Sequence, residues 1–472
     1  MSKRMVMLVG LVVILIIPVP AWVLAQTIGA NDDTTLKQII VFGRHSIRSA
    51  TTDTTELSIK YSVDPYPPFE VAAGCLTPNG RKAETLLGAY YRQYLLHERL
   101  LTGNNRTDAA QSYFRSNSIE RSFETAAAFQ SALIPNSTES VHSFPINPSS
   151  QTDPVFDPIK AGVAKVDQAR AANQVQEMFY SGSALSHTVS GEYSLIRSVL
   201  FDYPLGTRPA PPAPPHKADP TSQAITLTPT NIQAAGEIIN IGGLHSTIDA
   251  ADPFVMQYAD GFNMNDVGWG RLTPDQISQQ TRIVNLEFEI EMRSPYLDQV
   301  QSSNAASHVL RTMQQAVFGY SVPGAFGDAA SRVVVVISSD AYVAGLAGLL
   351  NMHWQLPGYQ PDFCAPGGAL VFELRQSKSS NQYFVRVFYT AQTFDQLRHL
   401  TPLSLANPPA TMQLFVPDGS QSALPGGGKA AGDLDVNFSA FQSLLTNAIN
   451  PAYVQNPRQE VHPGVLSGVY CQ

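Results

Sequence analysis

The densest chemistry in the chain is Arg44-His45-Ser46-Ile47-Arg48, an imidazole set between two guanidiniums within one short stretch. Guanidiniums beside an imidazole disfavour its protonated form, so such a histidine keeps a free lone pair below neutral pH. Planar, permanently charged forks are also suited to clamping phosphoryl oxygens, which points to a phosphate ester as ligand. A second group of interest is Ser339-Asp340, which follows the apolar run Val333 to Ile337 and precedes the helical pattern AYVAGLAGLL. A carboxyl there can exchange protons with a reacting group, or it can cap the helix that begins beside it. For Arg44, His45 and Arg48 the alternatives are two surface arginines and a core histidine.

These groups need elements that bring them together. Leu36 to Phe42 (LKQIIVF) is a β-branched apolar run ending at Gly43, the profile of a strand covered on both faces, and Val333 to Ile337 is a second. Ligands of open α/β sheets bind outside the carboxyl ends of strands, so Arg44-His45 and Ser339-Asp340 are expected to meet in one crevice. Thr77-Pro78 followed by Leu86, Leu87, Tyr90, Tyr91 and Tyr94 predicts a capped amphipathic helix of about six turns. Another helix is predicted over 119–133, with Arg121 near its start, and helix-like stretches cover 165–180 and 304–317. Residues 204–220 (PLGTRPAPPAPPHKADP) are too proline-rich for a helix or central strand. The expected organisation is an α/β catalytic domain from 26–145 and 326–472, with 146–325 inserted as a mostly helical cap.

Composition sets further bounds. With 472 residues, 44% hydrophobic and 14% charged, the chain can bury a large core. Its net charge is -8, which argues against a nucleic-acid partner and requires any phosphate site to be a local pocket of positive potential. Residues 1–25 read as a secretory signal: Lys3 and Arg4, an apolar run from Met5 to Ile17, Pro18 and Pro20, then Val23-Leu24-Ala25. The alternative is an uncleaved anchor, although the apolar core falls short of the ~20 residues of a span. The destination is periplasmic or extracellular, with no stable membrane association after cleavage. Asn105, Asn136 and Asn437 stand in N-x-S/T sequons that matter only in a eukaryotic secretory pathway. Cys75, Cys364 and Cys471 permit one disulfide and a leftover thiol, in any of three pairings. CxxC, HExxH and His-x-His patterns are missing from the sequence, so neither a metal nor a cofactor is expected.

In this order along the chain, Arg44-His45-x-x-Arg48, Leu76-Thr77-x-x-Gly80, Asn117-Ser118-x-x-Arg121, Gln257-Tyr258-Ala259-Asp260-Gly261-Phe262 with Trp269-Gly270, Ser339-Asp340, Pro366-Gly367-Gly368 and Gln396-Leu397-Arg398 form a pattern. It resembles the acid phosphatase and phytase branch of the histidine phosphatases, nearest the periplasmic glucose-1-phosphatase type. The resemblance implies a phosphoglycerate-mutase-like three-layer α/β sandwich with a mixed central sheet. It also implies an exported acid phosphomonoesterase acting on sugar phosphates, inositol phosphates or a range of small phosphate esters. Residue by residue it makes His45 the nucleophile that carries a phosphohistidine, Arg44, Arg48 and Arg121 the phosphate clamp, and Asp340 the proton donor to the leaving alkoxide. Asp260 would face the substrate, although a turn residue before Gly261 needs no function. For Arg121 the alternative is an ordinary helix arginine. Two positions depart from the family. Ser46 replaces the usual glycine, and Ser339 stands where a histidine normally adds a further donor to the phosphoryl group. Losing one such donor costs about 10² to 10³ in rate, so the alternative is a catalytically weak or inactive relative that binds phosphate esters. His187, His245 and His353 are candidates to fill the gap from elsewhere.

Overall fold

The computed structural model describes residues 33–144, 152–207, 211–230, 238–417, 434–455 and 462–463, so the expected leader and Cys471 lie outside the described residues. The strands are β1 (Thr34–Arg44), β2 (Ser112–Ser116), β3 (His142–Ser143), β4 (Thr228–Pro229), β5 (Ile239–Asn240), β6 (Val333–Ser338), β7 (Ala369–Ser377), β8 (Tyr383–Ala391), β9 (Ala410–Gln413), β10 (Val436–Asn437) and β11 (His462–Pro463). The main sheet runs β10-β8-β7-β1-β6-β2-β3-β11, with β9 on β8, while β4 and β5 pair separately. β1 is parallel to β6 and antiparallel to β7, so the sheet is mixed as expected.

β1 is buried along nearly its whole length, which is why its sequence lacks polar alternation. Successive side chains still choose opposite faces. Ile39 and Val41 join Val333, Val335 and Ile337 under α1 (Pro78–His97) and α2 (Glu120–Leu133). Ile40 and Phe42 join Val334 and Val336 on the other face. That second face is covered by helices that include the ones labelled below α5 (Pro295–Phe318) and α6 (Asp340–Leu349). The result is a three-layer α/β sandwich with a mixed central sheet, as expected from the sequence.

The helix starts follow their sequence signals. Thr77 caps α1, its hydroxyl accepting from the Gly80 amide at 2.9 Å. Gly80 itself is forced: a Cβ there would sit 2.3 Å from the Ile47 carbonyl oxygen, so only glycine lets α1 close against the Arg44–Arg48 turn. The helix at 165–180 is found as Gln168–Phe179, and the one at 304–317 is the second half of the longer α5.

Between β3 and β6 the described chain is mostly helical, and it includes α3 (Gly243–Ala259) and α4 (Arg282–Glu291). Within 204–220 no α-helix or strand forms among the described residues; a 3-10 turn starts at Pro220. Cys75 is disulfide-bonded and Cys364 is a buried free thiol. Among the described residues no helix is long and apolar enough to cross a membrane.

Candidate active site

The carboxyl ends of β1 and β6 lie side by side, and main-chain bonds lock the turns that leave them. The Arg44 amide donates to the Gly368 carbonyl at 2.8 Å, the His45 amide to the Ser338 carbonyl at 2.8 Å, and the Gly367 amide to the His45 carbonyl at 3.0 Å. Ser46 is tied to α2 through its amide, which donates to Thr125 Oγ1 at 3.0 Å. His45 is thus held from three segments distant in sequence.

The His45 ring is 1% exposed. Its Nδ1 lies 2.8 Å from the Ser46 carbonyl oxygen, which only accepts, so Nδ1 carries the proton and Nε2 keeps the lone pair. Burial, then the guanidiniums of Arg121, Arg44 and Arg48, hold the imidazole well below its ordinary pKa. The resemblance implied that these three arginines act together, and the structure brings all of them to the histidine.

Each guanidinium is anchored on one side. Arg44 donates to the Cys364 carbonyl and pairs with Asp340 at 3.0 Å. Arg48 pairs with Asp252 at 2.7 Å and bonds the Ser49 carbonyl at 3.0 Å; burial lowers its pKa, but Asp252 outweighs that and the net shift is upward. Arg121 reaches the Gly74 carbonyl at 3.2 Å and has no carboxylate partner among the described residues; burial and Arg48 push it down to about 10. The Nε–H groups of all three are buried without an acceptor among the described residues. Buried donors are normally satisfied, and the three left unmet here are of a kind that can bond an anion. Three guanidiniums against two carboxylates and a neutral imidazole also leave one net positive charge, which suits a phosphoryl group.

Asp340 is the first helical residue of α6, and its carboxylate is 20% exposed. The helix-cap reading of this residue does not hold. Ser339 occupies the cap position, without a side-chain cap bond, and Asp340 bonds only the adjacent Ala341 amide at 3.2 Å besides its pairing with Arg44. Of the histidines considered as replacements, His245 pairs with Glu287 and His353 with Asp362, while His187 sits in the last turn of the helix Gly182–Thr188. None of these contacts places an imidazole beside Ser339. Asp260 ends α3 and accepts from Thr77 Oγ1 at 2.6 Å; burial pushes its carboxyl up to about 6.

Two residues escaped the sequence reading. Asp252 lies on α3 two turns before Asp260 and lines a cleft with Arg44 and Asp340. Its signal was the spacing of Asp249 and Asp252 on one helix face, since Asp249 also reaches back to Thr52 at 2.7 Å. Glu84 is buried in α1, with Oε2 unpartnered beside Gly367, and burial raises its pKa well above the carboxylate range. A carboxyl that stays protonated when folded but ionises when unfolded stabilises below its unfolded pKa, and that contribution is lost as pH rises. Glu84→Gln is therefore expected to raise the thermal unfolding midpoint by about 2 °C at pH 7 and leave it unchanged near pH 4, read by scanning fluorimetry.

No family model matches the chain. Phytase AppA of Escherichia coli (strain K12) is 27% identical over 391 residues, spanning 80% of this chain and 86% of that protein. The glucose-1-phosphatase of Providencia rettgeri is 24% identical over 407 residues, spanning 84% and 90%. The Hafnia alvei phytase solved with tartrate superposes with a TM-score of 0.76 at 26% identity, over 90% of this chain and all of that one. Over most of its length the chain is similar to histidine acid phosphatases. This likeness supports a phosphoric monoester hydrolase. The phytase of Citrobacter braakii, at 21% identity and a TM-score of 0.73, shares the histidine phosphatase fold.

Arg121 helps depress the His45 pKa and carries a buried Nε–H with no acceptor among the described residues. Arg121→Gln is expected to lower kcat/KM by about 10- to 100-fold, the worth of one charge-assisted hydrogen bond. Because His45 loses a cation that depresses its pKa, the acid limb of the pH profile should move to higher pH. A rate loss with an unmoved limb would remove the electrostatic role.

Proposed function

We propose that the chain is an exported acid phosphomonoesterase that hydrolyses sugar or inositol phosphates through a phosphohistidine on His45. The observation that carries this reading is the neutral, tautomer-fixed imidazole facing three arginines whose Nε–H groups are buried and unpartnered. His45 Nε2 attacks phosphorus as the ester bond breaks, and the guanidiniums of Arg44, Arg48 and Arg121 hold the non-bridging oxygens. Asp340 gives its proton to the departing alkoxide, then takes one from the water that cleaves the phosphohistidine and restores the free ring. Residues 146–325 serve as the cap over the substrate, and residues 1–25 direct export. For Asp260, the bond to Thr77 favours a tie between cap and catalytic layer over a contact with the ester.

A weak or inactive binder is the second reading, and Ser339 favours it. Rapid alkaline quench of the chain with 32P-labelled p-nitrophenyl phosphate decides between them. Label trapped on His45, with turnover between pH 3 and 8, supports the esterase; phosphate binding without label or turnover supports the binder. Ser339→His is expected to raise kcat by about 10-fold or more, because it restores one donor to the phosphoryl oxygens.

A further inference from the structure

His245, near the start of α3, and Glu287 and Glu291, one helical turn apart on α4, place one imidazole and two carboxylates together on the helical cap. One ligand atom from each lies within 4.8 Å of the others, and His245 Nε2 is 2.8 Å from Glu287 Oε1. The three side chains are partly buried, and the two helices that carry them pack against each other. We propose that His245, Glu287 and Glu291 form a binding site for a divalent transition-metal ion of the zinc class, which cross-links α3 to α4.

The donor set selects the ion. Two carboxylates supply the charge and the imidazole supplies the nitrogen that zinc prefers, whereas magnesium and calcium favour oxygen-only shells. Zinc accepts three protein ligands with solvent in the remaining position. Ligand atoms about 2.0 to 2.2 Å from a tetrahedral ion stand roughly 3.4 Å apart, so the present spread closes by side-chain rotation alone. Two glutamates one turn apart on a helix face repel each other, and a cation between them removes that repulsion.

The site is separate from the chemistry. His245 precedes Asp252 by seven residues, about 10 Å along α3. The helix clamped by the ion is nevertheless the one that presents Asp252 to Arg48. A bound ion therefore steadies the cap platform without touching the substrate.

Isothermal titration of the untagged, chelator-stripped chain with zinc chloride tests this directly. One equivalent should bind with micromolar affinity and raise the unfolding midpoint, while magnesium chloride does neither. Glu287→Gln/Glu291→Gln should abolish the binding and keep p-nitrophenyl phosphate hydrolysis, which reports folding. Glu291→Gln alone, which preserves the His245–Glu287 pair, should weaken zinc at least 10-fold. No saturable zinc binding in the stripped chain, or unchanged affinity and stoichiometry in Glu291→Gln, overturns the proposal.

Discussion

His45→Ala is expected to lower kcat for p-nitrophenyl phosphate by about 10⁴-fold or more, leaving only what phosphate binding contributes. The expectation rests on how little else the site offers as a nucleophile. The imidazole is fully enclosed, its Nδ1 is committed to the Ser46 carbonyl, and the groups around it are guanidiniums. Alanine removes the attacking nitrogen but leaves Arg44, Arg48 and Arg121 anchored on Asp340, Asp252 and the Gly74 carbonyl. Inorganic phosphate should therefore still inhibit or bind within about 10-fold of the parent, because the clamp survives. A variant that keeps activity within 10-fold would mean that another group, or water directly, attacks phosphorus. Steady-state kinetics with phosphate as competitor reads both quantities in one series.

Asp340→Asn should separate two substrates. An alkyl phosphate such as glycerol 2-phosphate leaves as a basic alkoxide and needs a proton, so its kcat should fall about 10³-fold. Nitrophenolate leaves unaided, so the loss with p-nitrophenyl phosphate should stay below about 10²-fold. The asparagine oxygen can still accept from Arg44, which pairs with Asp340 at 3.0 Å, so the clamp geometry is held constant. Equal losses on both substrates would show that Asp340 works by positioning Arg44 and not by moving a proton.

The sequence revealed the catalytic layer better than the cap, for physical reasons. β1 and β6 are buried on both faces, so they read as uninterrupted apolar runs, and the residues just past them had to be at the sheet's carboxyl edge. Arg121 was legible because a helix starts just before it, and its approach to His45 follows from α2 packing beside β6. Asp252 was hidden because a carboxylate on an amphipathic helix looks like an ordinary solvated residue; only the fold turns that face toward Arg48. Glu84 was hidden for the same reason, since a charged residue in an amphipathic helix is normally assigned to the wet side. Asp260 was recognised as special, and the structure gives it a partner, Thr77, that spacing alone could not name. The metal-ligand cluster was invisible because its donors come from two helices about forty residues apart and match no short motif.

The position of β6 has a consequence for how the chain acquires its shape. β6 lies between β1 and β2, although it is synthesised more than 200 residues after either of them. The first two strands cannot pair with each other in the native register; they must leave a slot that is filled only when Val333–Ser338 arrives. Such long-range parallel pairing is slow, and until it completes the edges of β1 and β2 are open to mispairing. His45 and Asp340 therefore come to lie side by side only once β6 has paired with β1, and a chain ending before Val333 cannot bring them together.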